Sequence, residues 1–298
     1  MPAPFGLLNI DKPAGASSRD VVDVVQRLVR PAKAGHAGTL DPLATGVLVV
    51  CVGPATRLIT FIQEGRKTYR ATFRFGVASE SDDLESEVTP MPAAPKLTRS
   101  HVESILPEFV GTIEQVPPAY SAVHVEGRRA YELARTGKHV SLAAKPVEIH
   151  RLNLLRFDEE TQELDCDVEC GSGTYIRSIG RDLAARLGTA AVMTALRRTA
   201  VGPFQIDDAI SPRNLDSATI DASLLPAETG LEHLVRVKLD DAQVAAVRQG
   251  RILPRPAGLT LESEEAVALF SADGRIVAVA LFNGRDATLR PKIVFPAE

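Results

Sequence analysis

Residues 68–75 alternate between polar and apolar positions, with Tyr69, Ala71, Phe73 and Phe75 on one parity, and residues 163–170 repeat the pattern with Leu164, Cys166, Val168 and Cys170. A period of two with a single apolar face predicts strands with one wet side, which favours antiparallel pairing over a parallel sheet buried on both sides. Nearer the N-terminus, a short strand over Leu7 to Ile10 precedes Ser17-Ser18-Arg19-Asp20, after which Val21, Val24, Val25, Leu28 and Val29 recur at helical spacing. The serine cap and the apolar stripe predict an amphipathic helix. After the strand at 163–170 come Gly171-Ser172-Gly173-Thr174 and then Ile176, Ile179, Leu183 and Leu187, a helix that Gly188 closes. Segment 79–97 is rich in Ser, Pro and acids and is expected to be a mobile surface loop. Segment 205–234 is acidic and aperiodic, which places a domain boundary near residues 230–238. Beyond it, a short helix from Asp240 to Gly250 and alternating strands at 266–270 and 276–282, turned at Asp273-Gly274, predict a small β-rich module. The expected fold class is α+β: a mixed, mostly antiparallel sheet with flanking helices over 1–234, and a small β domain over 235–298.

Composition narrows the class without naming a chemistry. The 298 residues are 45% hydrophobic and 24% charged, ample for a globular core and unlike a disordered chain. The longest apolar run, Gly46 to Gly53, is far short of the roughly 18–20 residues that span a bilayer. The N-terminus has neither a basic region nor a long apolar one, so it does not resemble a signal peptide, and a cytoplasmic location is expected. Cys51, Cys166 and Cys170 are odd in number and lack zinc-site spacing; they are expected to be small core hydrophobes rather than metal ligands. The net charge of −4 argues mildly against a polyanion partner. Yet segment 120–151 carries Arg128, Arg129, Arg135, Lys138, Lys145 and Arg151 against Glu126, Glu132 and Glu148, and segment 171–199 carries Arg177, Arg181, Arg186, Arg197 and Arg198 against Asp182 alone. These form one basic face if the fold joins them, and two solvated surfaces if it does not.

The densest cluster of unusual residues is Gly35-His36-Ala37-Gly38-Thr39-Leu40-Asp41-Pro42-Leu43-Ala44-Thr45-Gly46, set immediately before an apolar strand. Three glycines around a histidine and an Asp-Pro mark a constrained loop that backbone or ligand can approach closely. Asp41 is there either a nucleophile or acid/base, or an ordinary turn former beside a loop histidine. Pattern alone leaves both open.

The run GHAGTLDPLATGVL closely resembles the catalytic loop of the pseudouridine synthases, in the branch of the bacterial tRNA pseudouridine-55 synthases. It is joined in order by Asp11-Lys12-Pro13, Lys67-Thr68-Tyr69-Arg70, Gln115-Val116-Pro117-Pro118-Ala119-Tyr120-Ser121-Ala122, Gly173-Thr174-Tyr175-Ile176-Arg177-Ser178 and Leu196-Arg197-Arg198. The resemblance runs nearly unbroken from residue 7 to about 204. It implies isomerisation of one T-loop uridine of tRNA, at position 55, with no metal or redox cofactor. Asp41 would act at the ribose, by attack on C1′ or by assisting glycal formation, and Tyr69 would stack on the extruded base and relay the C5 proton. Arg177 would orient Asp41 and keep it ionised; Tyr175 and Leu196 would line the uracil pocket. A base inside a folded loop must be flipped out, and His36 would fill the gap. Segment 120–151 would be an insertion gripping RNA, with Lys12, Arg128, Arg129, Arg197 and Arg198 as further RNA contacts. His124 stands where the family usually has lysine. The tail resembles, more weakly, the small RNA-binding module called PUA.

Four other readings stand beside it, one of them a nucleoside glycosidase with Asp41 as nucleophile, which would usually need a second carboxylate that the motifs do not supply nearby. A guide-RNA-dependent synthase shares the Asp loop, but this chain begins within ten residues of Asp11-Lys12-Pro13 and has no basic tail. A non-catalytic RNA-binding or tRNA-folding protein would not need Asp41, Tyr69 and Arg177 together. A nucleotide-dependent enzyme fits poorly, because the third glycine of the fingerprint after the 163–170 strand is replaced by Ile176. The expected partner is tRNA, engaged through its T-arm by a monomer, with no membrane association.

Overall fold

The computed structural model describes residues 4–121 and 142–296, together with the backbone of residues 124, 125, 128 and 129. Strand β1 (Gly6–Lys12) pairs antiparallel with β3 (Thr45–Val52), and helix α1 (Ser18–Leu28) and the short β2 (Ala34–His36) lie between them in sequence. Helix α1 begins at its serine because Ser17 Oγ accepts from the Asp20 amide while the Asp20 carboxylate accepts from the Ser17 amide. This reciprocal cap satisfies two amides that a helix start otherwise leaves bare. Val21, Val22, Val25 and Val29 then bury in one cluster with Leu8, Ile10 and Leu48, whereas Val24 of the expected stripe is only half-buried and Val22 takes its place.

Next along the chain come α2 (Ile59–Glu64), β4 (Lys67–Phe75), α3 (Arg99–Ile105), β5 (Gly111–Gln115), β6 (Lys145–Asp158), β7 (Glu163–Cys170), α4 (Ile176–Arg186), β8 (Ala191–Val201) and β9 (Phe204–Gln205). They form one sheet in the order β1-β3-β8-β4-β7-β6-β5, with β2 on β3 and β9 on β8. Within this sheet the β3–β8 contact is parallel, at Arg197 opposite Thr45 and Arg198 opposite Gly46, and the other pairs are antiparallel. The sheet is therefore mixed and mostly antiparallel, as the one-sided alternation predicts. Tyr69, Phe73, Leu164, Cys166 and Val168 face Ile176, Ile179 and Leu183 of α4 in a common core. Gly180 lets the helix come down onto the sheet: a Cβ there would lie 2.2 Å from the Phe73 ring. The three cysteines are buried and free, and burial pushes the thiols of Cys51 and Cys166 up to about 12, so they behave as apolar filling.

Several expectations are corrected. Segment 79–97 is not wholly a surface loop: Ser81 and Asp83 are completely buried, and Asp83 forms a bridge with Met193. Segment 205–234 is a strap packed on the main sheet, with Ile210 bridging to Ile10, Leu225 bridging to Leu7, and Leu231 fully buried. Its apolar residues fall at irregular intervals because short 3-10 turns, with no fixed repeat, carry them inward. Residues 145–149 open β6 and pair with β5, and Arg151 pairs with Glu169 of β7, so the last residues of the segment expected as an insertion belong to the main sheet. Most of that segment lies outside the described residues; His124 and Val125 pair with Arg129 and Arg128 through the backbone.

The last part of the chain holds β10 (Val235–Lys238), α5 (Asp241–Arg248), β11 (Leu253–Pro254), β12 (Ala266–Phe270), β13 (Ile276–Asn283) and β14 (Thr288–Val294), in a second sheet ordered β10-β12-β13-β14-β11. Its central strands were expected to alternate, but both their faces are buried. One face carries Val267, Leu269 and Val277 into the module's own core, while Ala268, Phe270 and Val279 join a core shared with Leu7, Val47, Val49 and Cys51 of the main sheet. Phe295 stacks on Phe5 at 5.4 Å across the same seam.

Candidate active site

The Asp41 loop bridges β2 and β3 and is held from several sides. Ser18 at the start of α1 donates to the Leu40 carbonyl at 3.0 Å and accepts from the Leu40 amide at 2.8 Å. Arg198 is 2% exposed, and its guanidinium donates to the carbonyls of Val47, Gly38 and Thr39 at 2.7, 3.2 and 3.4 Å. Lys12 is fully buried, and its ammonium donates to the carbonyls of Pro13, Ala16 and Pro42. Both were expected to meet RNA. The structure turns them inward as braces of the Asp41 loop, because buried cations need every available acceptor. Gly46 must be glycine: its φ is +100°, and a Cβ would sit 2.2 Å from the Arg198 carbonyl, where β8 crosses closest to β3.

Helix α4 brings Arg177 to this loop. Its N-terminus is fixed by Gln115, which accepts from the Tyr175 amide at 2.8 Å and donates to the Tyr175 carbonyl at 3.2 Å. Arg177 is 6% exposed; its Nη2 lies 3.2 Å from Asp41 Oδ2 and donates to the Tyr120 carbonyl at 3.0 Å. Nη1 donates to the Ser81 carbonyl at 3.0 Å and lies 3.0 Å from Asp83 Oδ2. That last contact is ionic in length but off the hydrogen-bond direction, since this oxygen has no hydrogen bond. The other oxygen of Asp83 accepts from Ser81 Oγ and the Glu85 amide. Sequence reading placed Asp83 in an acidic surface run and missed it. The signal that could have found it is Asp82-Asp83 itself, two acids with a buried arginine to serve.

Burial raises the Asp41 carboxyl above its ordinary range; Arg177 pulls it down, Asp83 pushes it up and Lys12 pulls it down. The expected ion pair is present, but it offsets desolvation only in part. A cleft of about 840 Å³ opens over Asp41 and is lined by Tyr69, Tyr175, Arg177, Leu196 and the Gly171–Thr174 turn. A third of the Asp41 side chain, 35%, remains open to it. Tyr69 projects from β4 into this space with its phenol pushed up by burial, while Arg198 draws it back. Lys67, two residues earlier on the same face, donates to the Gln63 and Gly65 carbonyls, so it caps the end of α2, and burial pulls it down to about 8.

The cleft brings together Asp41, Tyr69, Tyr175, Arg177 and Leu196. His36 stands apart on β2, outside the cleft lining, with its imidazole lowered by burial and its Nδ1 buried and unpaired. Arg197 points to the other side and holds Asp11 through two contacts of 2.9 and 3.2 Å, still 43% exposed. The side chains of Arg128 and Arg129 lie outside the described residues. The five arginines of 171–199 make no free basic face: Arg181 and Arg186 are also paired, with Asp82 and Asp182 and with Glu108.

Residues 26–176 match the TruB family pseudouridylate synthase (N terminal domain), and residues 177–236 match the tRNA pseudouridylate synthase B C-terminal domain. The chain belongs to the TruB family of tRNA pseudouridine synthases. A tRNA pseudouridine synthase B of Mycobacteroides abscessus is 43% identical over 96% of each chain, and one of Synechocystis sp. is 41% identical over 97% of this chain and 99% of its own. Among solved structures, the chain is similar to one titled as a Cbf5-Nop10-Gar1 complex, with a TM-score of 0.78 and 25% identity over 99% of this chain and 86% of that one. Family membership makes the chain an RNA-modifying isomerase that converts uridine in tRNA to pseudouridine. Among the described residues no helix is long and apolar enough to cross a membrane.

Proposed function

We propose that this synthase acts on the T-loop uridine at position 55, as a cytoplasmic monomer that needs no guide RNA, and that Asp41 begins the reaction. The observation that carries the reading is the Asp41–Arg177 pair at 3.2 Å on the floor of a cleft wide enough for a nucleoside, with Tyr69 on its wall. The uridine is flipped from the loop, and His36, at the end of β2 where the Asp41 loop begins, takes its place in the stack. The N1–C1′ bond then breaks, with Asp41 either attacking C1′ or removing a proton to give a glycal. Both routes require the carboxylate ionised, and Arg177 supplies the charge that favours it. The uracil carries the electron pair away, turns between Tyr69 and Leu196, and rejoins C1′ through C5, while the Asp41–C1′ bond breaks to release the carboxylate on the first route or Asp41 returns the proton to the sugar on the second. Tyr69 relays the C5 proton outward, as a neutral hydroxyl rather than a phenolate, because burial keeps it protonated. No oxidant enters and no atom is lost, so nothing beyond these side chains and a proton acceptor is needed.

Arg197, Arg128 and Arg129 are the phosphate contacts in this reading, and residues 235–298 are a PUA-like module that binds the same tRNA. The test is to incubate purified protein with an unmodified tRNA transcript, without added metal or RNA, and map pseudouridine by chemical labelling and primer extension. One T-loop stop is expected. Stops elsewhere would overturn the position, and retention of tRNA without any stop would favour a guide-dependent enzyme or a binding protein.

A further inference from the structure

Helix α4 carries a second arginine one turn beyond Arg177. Arg181 Nη1 lies 3.3 Å from Asp82 Oδ2, Nη2 donates to the Val116 carbonyl at 2.7 Å, and Nε donates to Asp182 Oδ1 at 2.8 Å. Asp82 sits between Ser81 and Asp83, both of which hold Arg177, and its φ of +58° is a conformation that aspartate adopts seldom. Its carbonyl accepts from the Met193 amide at 2.9 Å, and its side chain is 16% exposed. The Val116 carbonyl also accepts from Ser178 Oγ at 3.1 Å, and it lies four residues before Tyr120, another acceptor of Arg177. Arg181 thus ties down both walls of the cage around Arg177.

The charges here are crowded. Asp41 from its loop, Asp82 and Asp83 from 79–97, and Asp182 from α4 stand around Arg177 and Arg181; Glu80 and Glu85 lie on the same loop, and Lys12 reaches Asp41 from the far side. Arg177 gives one terminal nitrogen to each carboxylate, Nη2 to Asp41 and Nη1 to Asp83. Burial raises the Asp82 carboxyl, and the fields of Arg181 and then Arg177 pull it back in part, so Arg177 reaches Asp82 as well. A bare Asp82 would therefore compete for Arg177.

We propose that Arg181 is a positioning residue for catalysis: by holding and neutralising Asp82, it leaves Arg177 to Asp41 and Asp83. The inference rests on the reading of Asp41 as the reacting carboxylate. It predicts more than a loss of packing, because the harm done by removing Arg181 comes from a charge that can itself be removed.

The test measures single-turnover rate at saturating unmodified tRNA, and tRNA affinity, for Arg181→Gln, Arg181→Lys and Arg181→Gln combined with Asp82→Asn. Arg181→Gln is expected to lower the rate roughly three- to thirtyfold with affinity little changed. Arg181→Lys, which keeps a cation beside Asp82, keeps most of the rate, and the double variant recovers most of what the single one lost. An unaffected Arg181→Gln, or a double variant no faster than the single, overturns the proposal. Melting curves run alongside separate folding from charge, since recovered rate without recovered melting temperature still marks electrostatic rescue. Turnover retained by Asp41→Asn in the same assay would instead overturn the reading on which the proposal rests.

Discussion

Asp41 shows how far one residue's environment can be read from sequence. The glycine-flanked Asp-Pro announced a constrained loop, and the loop is constrained, yet the sequence suggested that Arg177 would simply keep the acid charged. Burial wins over the ion pair, and the carboxyl titrates above its usual value of about 3.9. Because the reaction uses the anion, activity falls as pH drops through this raised pKa, and a pH–rate profile should place its acid limb above the ordinary carboxylate range; a limb at or below that range would contradict the assignment. Stability follows the opposite sign. Between the unfolded and the folded pKa the native state binds more protons, so it loses stability as pH rises through that window. Asp41→Asn removes a poorly solvated charge, and its melting temperature at neutral pH is expected to equal or exceed that of the wild type. A drop of several degrees would show that Asp41 braces the fold. Lys12 and Arg198 escaped correct reading for a related reason. A basic residue beside a motif suggests phosphate, and only three dimensions reveal that backbone carbonyls have claimed it.

Among elements, α4 and the strands beneath it were the most legible. Alternation at 68–75 and 163–170 and the spacing of Ile176, Ile179 and Leu183 depend on local periodicity, and the same local rule governs what is buried. The Gly180 contact was not legible, since nothing in the pattern says which helical residue meets the Phe73 ring. Gly180→Ala forces a methyl into a filled site and is expected to destabilise by about 1–3 kcal/mol, despite alanine's better helix propensity. Lifting α4 also moves Arg177, so the rate at saturating tRNA should fall as well. Chemical denaturation and single-turnover kinetics check both, and a stabilised variant of wild-type rate would contradict the packing account. The 79–97 loop was misjudged because composition speaks for most of its residues, while Ser81 and Asp83 are claimed by long-range partners.

On the scale of the whole molecule, the sequence divided the chain into two domains, and the second sheet does lie within the predicted tail. The division hides their shared core. Ala268, Phe270, Ile276 and Phe295 share one buried cluster with Val47, Val49 and Cys51, so the tail and the strand that leaves the Asp41 loop belong to a common core. Removing residues 235–298 would expose this face to water, and the truncated chain is expected to be poorly soluble or to lose cooperative melting. A soluble fragment melting like the full chain would show that the seam contributes little. The most direct test of the account is single-turnover pseudouridine formation by Asp41→Asn on an unmodified tRNA transcript, with tRNA affinity measured in parallel. The account predicts no product and an affinity within a few-fold of wild type. Product formed at a measurable fraction of the wild-type rate would contradict it.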